Sequence, residues 1–423
     1  MDSIRNWKER LTSSMKDKVN HAISAFPAAT PRRGGCCVDK RNPEIVPDSA
    51  HQFGAWWEGV FFGWSGYAKA NREIALRVAN HLPLRISQCL EPTYTDEYQK
   101  ARVSHYHTVR VSPKCPYVLF FGPDRTVPDI SGAKIIYTMM ETEKTHPDMV
   151  ETINRKFDEV WTPTKWNAQV FKDSGVDKPI KIVPLGVDDV VYQPLAEKPE
   201  LPPCEVLTGP NAGKMEVPKG FLFLSVALPS FRKGFDLIAK ALEAAFANDP
   251  DVGLVVAATH AGPNNEILQG LKTMKAKMWA LTGSYDEYQM SKIYNACDAY
   301  VSASRGEGWN LGICEAAACR LPVICPDNTA HPEVVGDDAF IFHGEGFEPM
   351  PSADAVSKWY KDMPFTIFGQ KSLDELISLL QIVRAGGSPV RQQVDLLQTR
   401  VLSRWTWDSS AAIAARRLIE LQH

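Results

Sequence analysis

The chain has 423 residues but no CxxC pair and no His/Cys spacing that reads as a zinc site. Its nine cysteines suggest no pairing framework. Cys297, Cys314, Cys319 and Cys325 lie in apolar runs, where a thiol behaves as a small hydrophobe. Cys36-Cys37 lies in a polar stretch, so reduced thiols and a cytoplasmic setting are expected. There is no basic excess. Lys and Arg number 47 against 50 Asp and Glu, a net charge of −3, which argues against a general nucleic-acid binder. No apolar run approaches the ~20 residues that cross a bilayer. The opening "MDSIRNWKERLTSSMKDK" lacks the apolar core of a secretory signal.

That opening does carry a stripe. Ile4, Trp7, Leu11, Met15, Val19 and Ile23 recur at spacings of three and four, with Arg5, Lys8, Arg10, Lys16 and Lys18 on the other side. A basic amphipathic helix of this kind is expected to pack on its own protein. Peripheral membrane contact through residues 1–25 is the alternative. Residues 27–52 are rich in Pro, Gly and charge, so residues 1–52 read as an N-terminal helix and linker.

The length favours two domains. From residue 54 short apolar runs alternate with helical patterns: strands at 84–87, 117–121, 134–139, 159–164 and 180–187, and helices at 146–157 and 165–174. A proline-rich stretch, 193–220, interrupts this series, and a second one follows. Its strands fall at 221–227, 252–259, 278–283, 299–304, 322–326 and 339–343, and its helices near 234–248, 286–297 and 310–320. The expectation is α/β: two doubly wound halves with mostly parallel sheets, over 53–195 and 221–400, joined by a linker at 196–220. A final helix within 401–423, capped by Asp408 or Ser409, could pack back on the first half.

In open α/β sheets ligands bind at the carboxyl ends of the strands, so the crevice between the halves is the expected site. The stretch "SASRGEGWNLGICEAAACRLPVIC" places Glu307 in a loop after a strand and Glu315 in the second turn of the following helix. A helix start offers unpaired amides and a positive dipole end to phosphate. Gly308 and Gly312 allow close backbone approach, and carboxylates accept from sugar hydroxyls. Phosphate at the amides and hydroxyls at the carboxylates describe a nucleotide sugar. The block "SVALPSFRKGFD" adds Arg232 and Lys233 at another strand-to-helix turn, two cations suited to a departing diphosphate.

"EGWNLGICE" resembles the E-x7-E signature of retaining GT-B glycosyltransferases of family GT4. The wider run from "LTGSYDEYQ" to "TAHPEVV" resembles that family's donor half, and "IIYTMMETEKTHPDMVETINRKFDEVWTPTKWNAQVFKDSGV" with "IKIVPLGVD" resembles the end of its acceptor half. The likeness covers roughly residues 54–345 and the terminal helix. It implies a GT-B fold with an acceptor-binding and a donor-binding Rossmann-like domain.

By the same resemblance, Glu315 would hold the ribose hydroxyls and Glu307 the transferred sugar. Amides around Asn310, Leu311 and Gly312 would meet the donor, and Lys233 its diphosphate. Tyr285 would stack on the base. Gly63, Ser65 and Gly66 would face the donor phosphates, and Glu141 would position the acceptor hydroxyl. The chain departs from the family pattern at Leu228, where a cation is usual, and at Asn310 and Arg320, where Gly is usual. His105 and His107 precede a strand and so lie at the wrong end for chemistry.

The one tight Asp-x-Asp, Asp249-Pro250-Asp251, also precedes a strand, so no metal site is expected, and no cofactor beyond a nucleoside-diphosphate sugar as donor substrate. The acceptor is open: glycan, lipid, protein, small molecule or modified nucleic-acid base. Alternatives are a GT-B epimerase or phosphorylase, and a non-catalytic nucleotide-sugar binder.

Overall fold

The computed structural model describes residues 54–63, 65–90, 97–258, 270–350 and 358–422. The N-terminal stripe and Cys36-Cys37 lie outside them.

The first half is a six-stranded parallel sheet. Its strands are β1 (Ala55–Gly59), β2 (Leu84–Gln88), β3 (Tyr117–Phe120), β4 (Lys134–Tyr137), β5 (Glu159–Thr162) and β6 (Ile180–Ile182), in the order β2-β1-β3-β4-β5-β6. Nearly all residues of the inner strands are buried, as expected of a sheet covered on both faces. Helix α1 (Gly66–Val78) follows β1. Its Asn71, fully buried, accepts from the Trp57 indole at 2.8 Å and donates to the Tyr67 and Phe120 carbonyls, fixing the β1–α1 corner. Helices α2 (Glu97–Ser104), α3 (Pro147–Lys156) and α4 (Lys165–Asp173) complete this half.

Among the described residues the second half is built on an eight-stranded sheet. Six of its strands run parallel on a doubly wound pattern: β9 (Phe221–Val226), β10 (Val252–Ala257), β11 (Lys277–Leu281), β12 (Ala299–Val301), β13 (Val323–Pro326) and β14 (Phe340–Phe342). The other two, β7 (Cys204–Val206) and β8 (Met215–Glu216), lie antiparallel beyond β11. Part of the 196–220 stretch, expected as a linker, is therefore sheet edge. A short antiparallel pair, β15 (Phe347–Pro349) and β16 (Pro364–Thr366), also has no counterpart in the sequence reading. The helices are α5 (Phe235–Phe246), α6 (Glu287–Ala296), α7 (Leu311–Ala318), α8 (His331–Val335), α9 (Gln370–Ala385), α10 (Ser388–Arg404) and α11 (Trp407–Glu420).

Helix α11 packs on α1, and Arg417 donates to Glu159 of β5 at 2.6 Å, tying the chain's last helix to the first half. Its N-cap is Thr406, whose hydroxyl accepts from the Ser409 amide at 3.2 Å. This replaces the Asp408 or Ser409 cap that the sequence suggested. The cysteines in the described residues are all free, and burial pushes the Cys314 and Cys319 thiols up to about 12.

Both departures from the family's glycines fall on left-handed backbone. Asn310 has φ 78° and Arg320 φ 63°. Arg320 follows the α7 C-cap, a position that favours Gly, and its cost there is about 1 kcal/mol. Its exposed pairing with Asp395 offsets little of that. Arg320→Gly is expected to be more stable than Arg320→Ala by about 1 kcal/mol in denaturant titrations. Equal stabilities would show that this backbone carries no strain.

Candidate active site

The carboxyl ends of both sheets face each other, and the polar groups there form two linked clusters. The first centres on Glu307. Its side chain is buried, and Lys233 Nζ donates to Oε1 at 2.5 Å while Arg232 Nη1 stands 3.5 Å from Oε2. The same Arg232 nitrogen lies 3.2 Å from Glu141 Oε1 of the first half and donates to the Gly306 carbonyl at 2.8 Å. Arg232 thus points into the cluster, while Leu228 is 45% exposed. Burial pushes the Glu307 carboxyl up, but Lys233 and Arg232 together outweigh burial and hold it at about 2. Two cations face two carboxylates, so the cluster is charge-balanced.

Local backbone geometry places Lys233. Gly234, the N-cap of α5, has φ 68°, and a Cβ there would lie 1.9 Å from the Ala303 carbonyl oxygen. Only glycine lets this turn press against the β12–α7 loop that carries Glu307.

The second cluster centres on Glu315. Lys69 of α1, in the first half, donates to Oε1 at 2.8 Å, and the Tyr294 hydroxyl donates to Oε2 at 2.7 Å. Lys69 also reaches the Tyr192 hydroxyl at 3.0 Å. All four side chains are buried.

Between the two acids, Asn310 spans the loop. Its Nδ2 donates to Ser302 Oγ at 3.2 Å and to His331 Nε2 at 3.1 Å. His331 is fully buried; with Asn310 Nδ2 donating to Nε2, the neutral ring is assigned its proton on Nδ1, which then donates to Asn328 Oδ1 at 2.8 Å. Burial, with Lys233 adding to it, pulls the His331 pKa down to about 4 despite Glu307. Thr329 Oγ1 accepts from the Glu307 amide at 3.0 Å.

The other expected residues divide. Glu141 joins the first cluster, and its second oxygen accepts from the Tyr360 hydroxyl at 2.5 Å. Leu311 and Gly312 open α7, and a Cβ on Gly66 would lie 3.5 Å from Leu311 Cδ1. Ser65 caps α1 by accepting from the Ala68 amide at 3.2 Å, and Arg72 holds the glycine loop through the Phe61 and Gly63 carbonyls.

Gly308 and Gly312 are packed closely by protein on their Cβ side. A Cβ there would meet Met139 Cγ at 2.5 Å and the Tyr300 hydroxyl at 2.4 Å. Tyr285 is half-buried against the core and lies over Gly283, and burial raises its hydroxyl to about 12. His107 faces the Ile86 carbonyl at 2.8 Å through Nδ1, and His105 is exposed, so neither joins the clusters.

Lys69, Tyr294, His331, Asn328, Thr329, Asn167 and Tyr360 received no role from the sequence. Asn167 bridges the halves, its Oδ1 accepting from the Met140 amide at 2.6 Å and its Nδ2 donating to the Gly308 carbonyl at 3.0 Å. Glu333 of α8 accepts from the Lys165 and Trp166 amides at 3.0 and 3.1 Å, a carboxylate on the N-terminus of α4. Among the described residues no group of three or more His, Cys, Asp or Glu could hold a metal ion. No helix among them is long and apolar enough to cross a membrane.

Residues 218–362 match the model of the family described as glycosyl transferases group 1. The chain carries a group 1 glycosyltransferase domain. The match spans the Lys233 turn, both glutamates and His331, so both clusters draw on this glycosyltransferase domain.

The serotype-specific mannosyltransferase WbdA of Escherichia coli is 28% identical over 161 residues, 36% of this chain and 19% of that protein. The O-antigen chain mannosyltransferase B of Escherichia coli is 37% identical over 59 residues, 14% of this chain and 16% of that protein. The chain thus spans about a fifth of the length of the curated relatives it matches.

Among solved structures, Anabaena HepE in complex with UDP and glucose superposes with a TM-score of 0.60 at 11% identity, covering 87% of this chain and 100% of that one. Sucrose-phosphate synthase from Thermosynechococcus elongatus gives 0.57 at 12% identity, over 87% and 98%. WaaG, a glycosyltransferase involved in lipopolysaccharide biosynthesis, gives 0.56 at 14% identity, over 86% and 99%. These likenesses identify the fold as GT-B, and the glycosyltransferase domain is its second half.

Proposed function

We propose that this protein moves a sugar from a nucleoside-diphosphate sugar to an acceptor hydroxyl, keeping the anomeric configuration and using no metal ion or other cofactor. The observation that carries the reading is the cluster of Lys233, Arg232 and Glu307 beside the N-terminus of α7. Cations and helix amides converge where a diphosphate would leave, and a carboxylate stands ready for sugar hydroxyls. The group 1 domain match and the UDP complex of HepE support the donor class. The mannosyltransferase relatives place a mannosyl donor first in any test.

In this reading Glu315 takes the ribose and Glu307 the transferred sugar. The acceptor oxygen forms its bond to the anomeric carbon on the face from which the diphosphate departs. The bond from that carbon to the phosphate oxygen breaks, the diphosphate keeps its electron pair, and its oxygen takes the acceptor's proton. Lys233 and Arg232 balance the charge on the leaving group, and Glu141 orients the acceptor. Charge neutralisation rests on these cations because Asp249 and Asp251 sit at the amino end of β10, away from the site. A cytoplasmic protein would meet such donors directly.

The test is nucleoside-diphosphate release from GDP-mannose, UDP-glucose and UDP-N-acetylglucosamine, with and without a chelator, followed by the anomeric proton coupling of any glycoside formed. Release from one donor, insensitive to chelation, with a retained anomer, is expected. Absence of release from any of them would favour a non-catalytic binder.

A further inference from the structure

The acid expected to hold the donor's ribose is already bonded across the domain boundary. Lys69 lies on α1 of the first half and Glu315 on α7 of the second, 2.8 Å apart. Both are largely shielded, with 10% and 9% of their side chains reaching solvent. A charge placed there is costly unless paired. Burial alone would pull the Lys69 ammonium down, but Glu315 and Tyr192 outweigh it and keep its pKa well above the usual value. Tyr192 and Tyr294 complete the frame, their rings edge to face at 5.8 Å.

The frame leaves capacity on the carboxylate. Each oxygen of Glu315 takes one donor, Lys69 on Oε1 and Tyr294 on Oε2. A carboxylate offers about four acceptor positions. Two remain, one on each oxygen, which matches the demand of two vicinal hydroxyls. The 9% of the Glu315 side chain that is exposed gives those hydroxyls an approach.

We propose that Lys69 is a positioning residue for the donor: it holds the Glu315 side chain oriented toward the ribose, so that donor affinity depends on the first domain's helix being docked. The proposal rests on the ribose reading of Glu315 given above. It adds a first-domain residue to nucleoside recognition. It also explains why a lysine is buried on a helix whose neighbouring Asn71, Arg72 and Glu73 serve the fold.

The test is a cycle of binding constants by calorimetry, using UDP and GDP and their 2′,3′-dideoxy forms on the wild type and on Lys69→Met and Lys69→Arg. For whichever base binds, the wild type should prefer the ribose form by tenfold or more. Lys69→Met should lose most of that preference while binding the dideoxy form as the wild type does, and Lys69→Arg should restore part of it. Thermal melts without nucleotide establish that each variant is folded. If Lys69→Met weakens both forms equally, the positioning role is overturned while the donor reading stands. If the wild type binds both forms equally, or binds neither nucleotide, the ribose reading fails and takes the proposal with it. Lys69→Met that will not fold leaves Lys69→Arg to decide, since a guanidinium that keeps the charge but not the geometry should lower the ribose preference and not the dideoxy affinity.

Discussion

Lys233→Ala should lower kcat/KM for donor turnover by about 10²–10³-fold, the scale set by removing one preorganised electrostatic group from a transition state. Lys233 meets Glu307 at 2.5 Å, and its turn is fixed by a glycine that no other residue can replace without meeting Ala303. The variant should also be less stable. Removing one partner of a buried ion pair costs about 3–5 kcal/mol, and Arg232 at 3.5 Å keeps the loss near the lower end. Lys233→Arg retains the charge and should recover part of the rate. Steady-state kinetics alongside denaturant titrations separate the two effects. A variant that turns over at the wild-type rate would remove Lys233 from the chemistry.

His331 should govern the acid sensitivity of the fold. Its folded pKa is near 4, against the ordinary 6.5 of a solvated imidazole, because burial, reinforced by Lys233, disfavours the charged ring. A group with a depressed folded pKa stabilises above its unfolded pKa, and the stabilisation is lost as pH falls through the folded value. The window is therefore pH 6.5 down to pH 4, and the full effect is on the order of 3 kcal/mol. Glu307, held near 2 against 4.5, adds a second loss at lower pH, with the same sign. His331→Gln should be less stable at pH 7 but show a flatter slope between pH 6.5 and 5. Parallel slopes for the two proteins in urea titrations would assign the acid sensitivity to other groups.

Much of this was legible because parallel strands buried on both faces read as continuous apolar runs. "FLFLSVA" and "VGLVVAAT" became β9 and β10 within two residues. The two glutamates were legible because a loop carboxylate and a helix-start carboxylate stand out between apolar segments. The pairs β7–β8 and β15–β16 were not, since strands of two or three residues carry no alternation to detect. Helix α9 did carry a signal, Leu373, Leu376, Ile377, Leu380 and Val383 at helical spacing.

Partners across the domain boundary were the least readable. Lys69 looks like the solvated side of an ordinary helix until α7 is placed against it, and Tyr360 gains its role only when Glu141 arrives from the other half. Asn310 and Arg320 were visible as departures from glycine; that both sit at positive φ is backbone information no composition carries.

The central claim is that the gap between the glutamates receives a nucleoside-diphosphate sugar. The most direct measurement is a crystal structure of the protein with the nucleoside diphosphate that binds best. The account predicts diphosphate oxygens about 3 Å from Lys233 Nζ and from the first amides of α7, with the ribose hydroxyls on Glu315. A nucleotide bound elsewhere, with Lys233 and Glu315 still engaged only by protein groups, would contradict it.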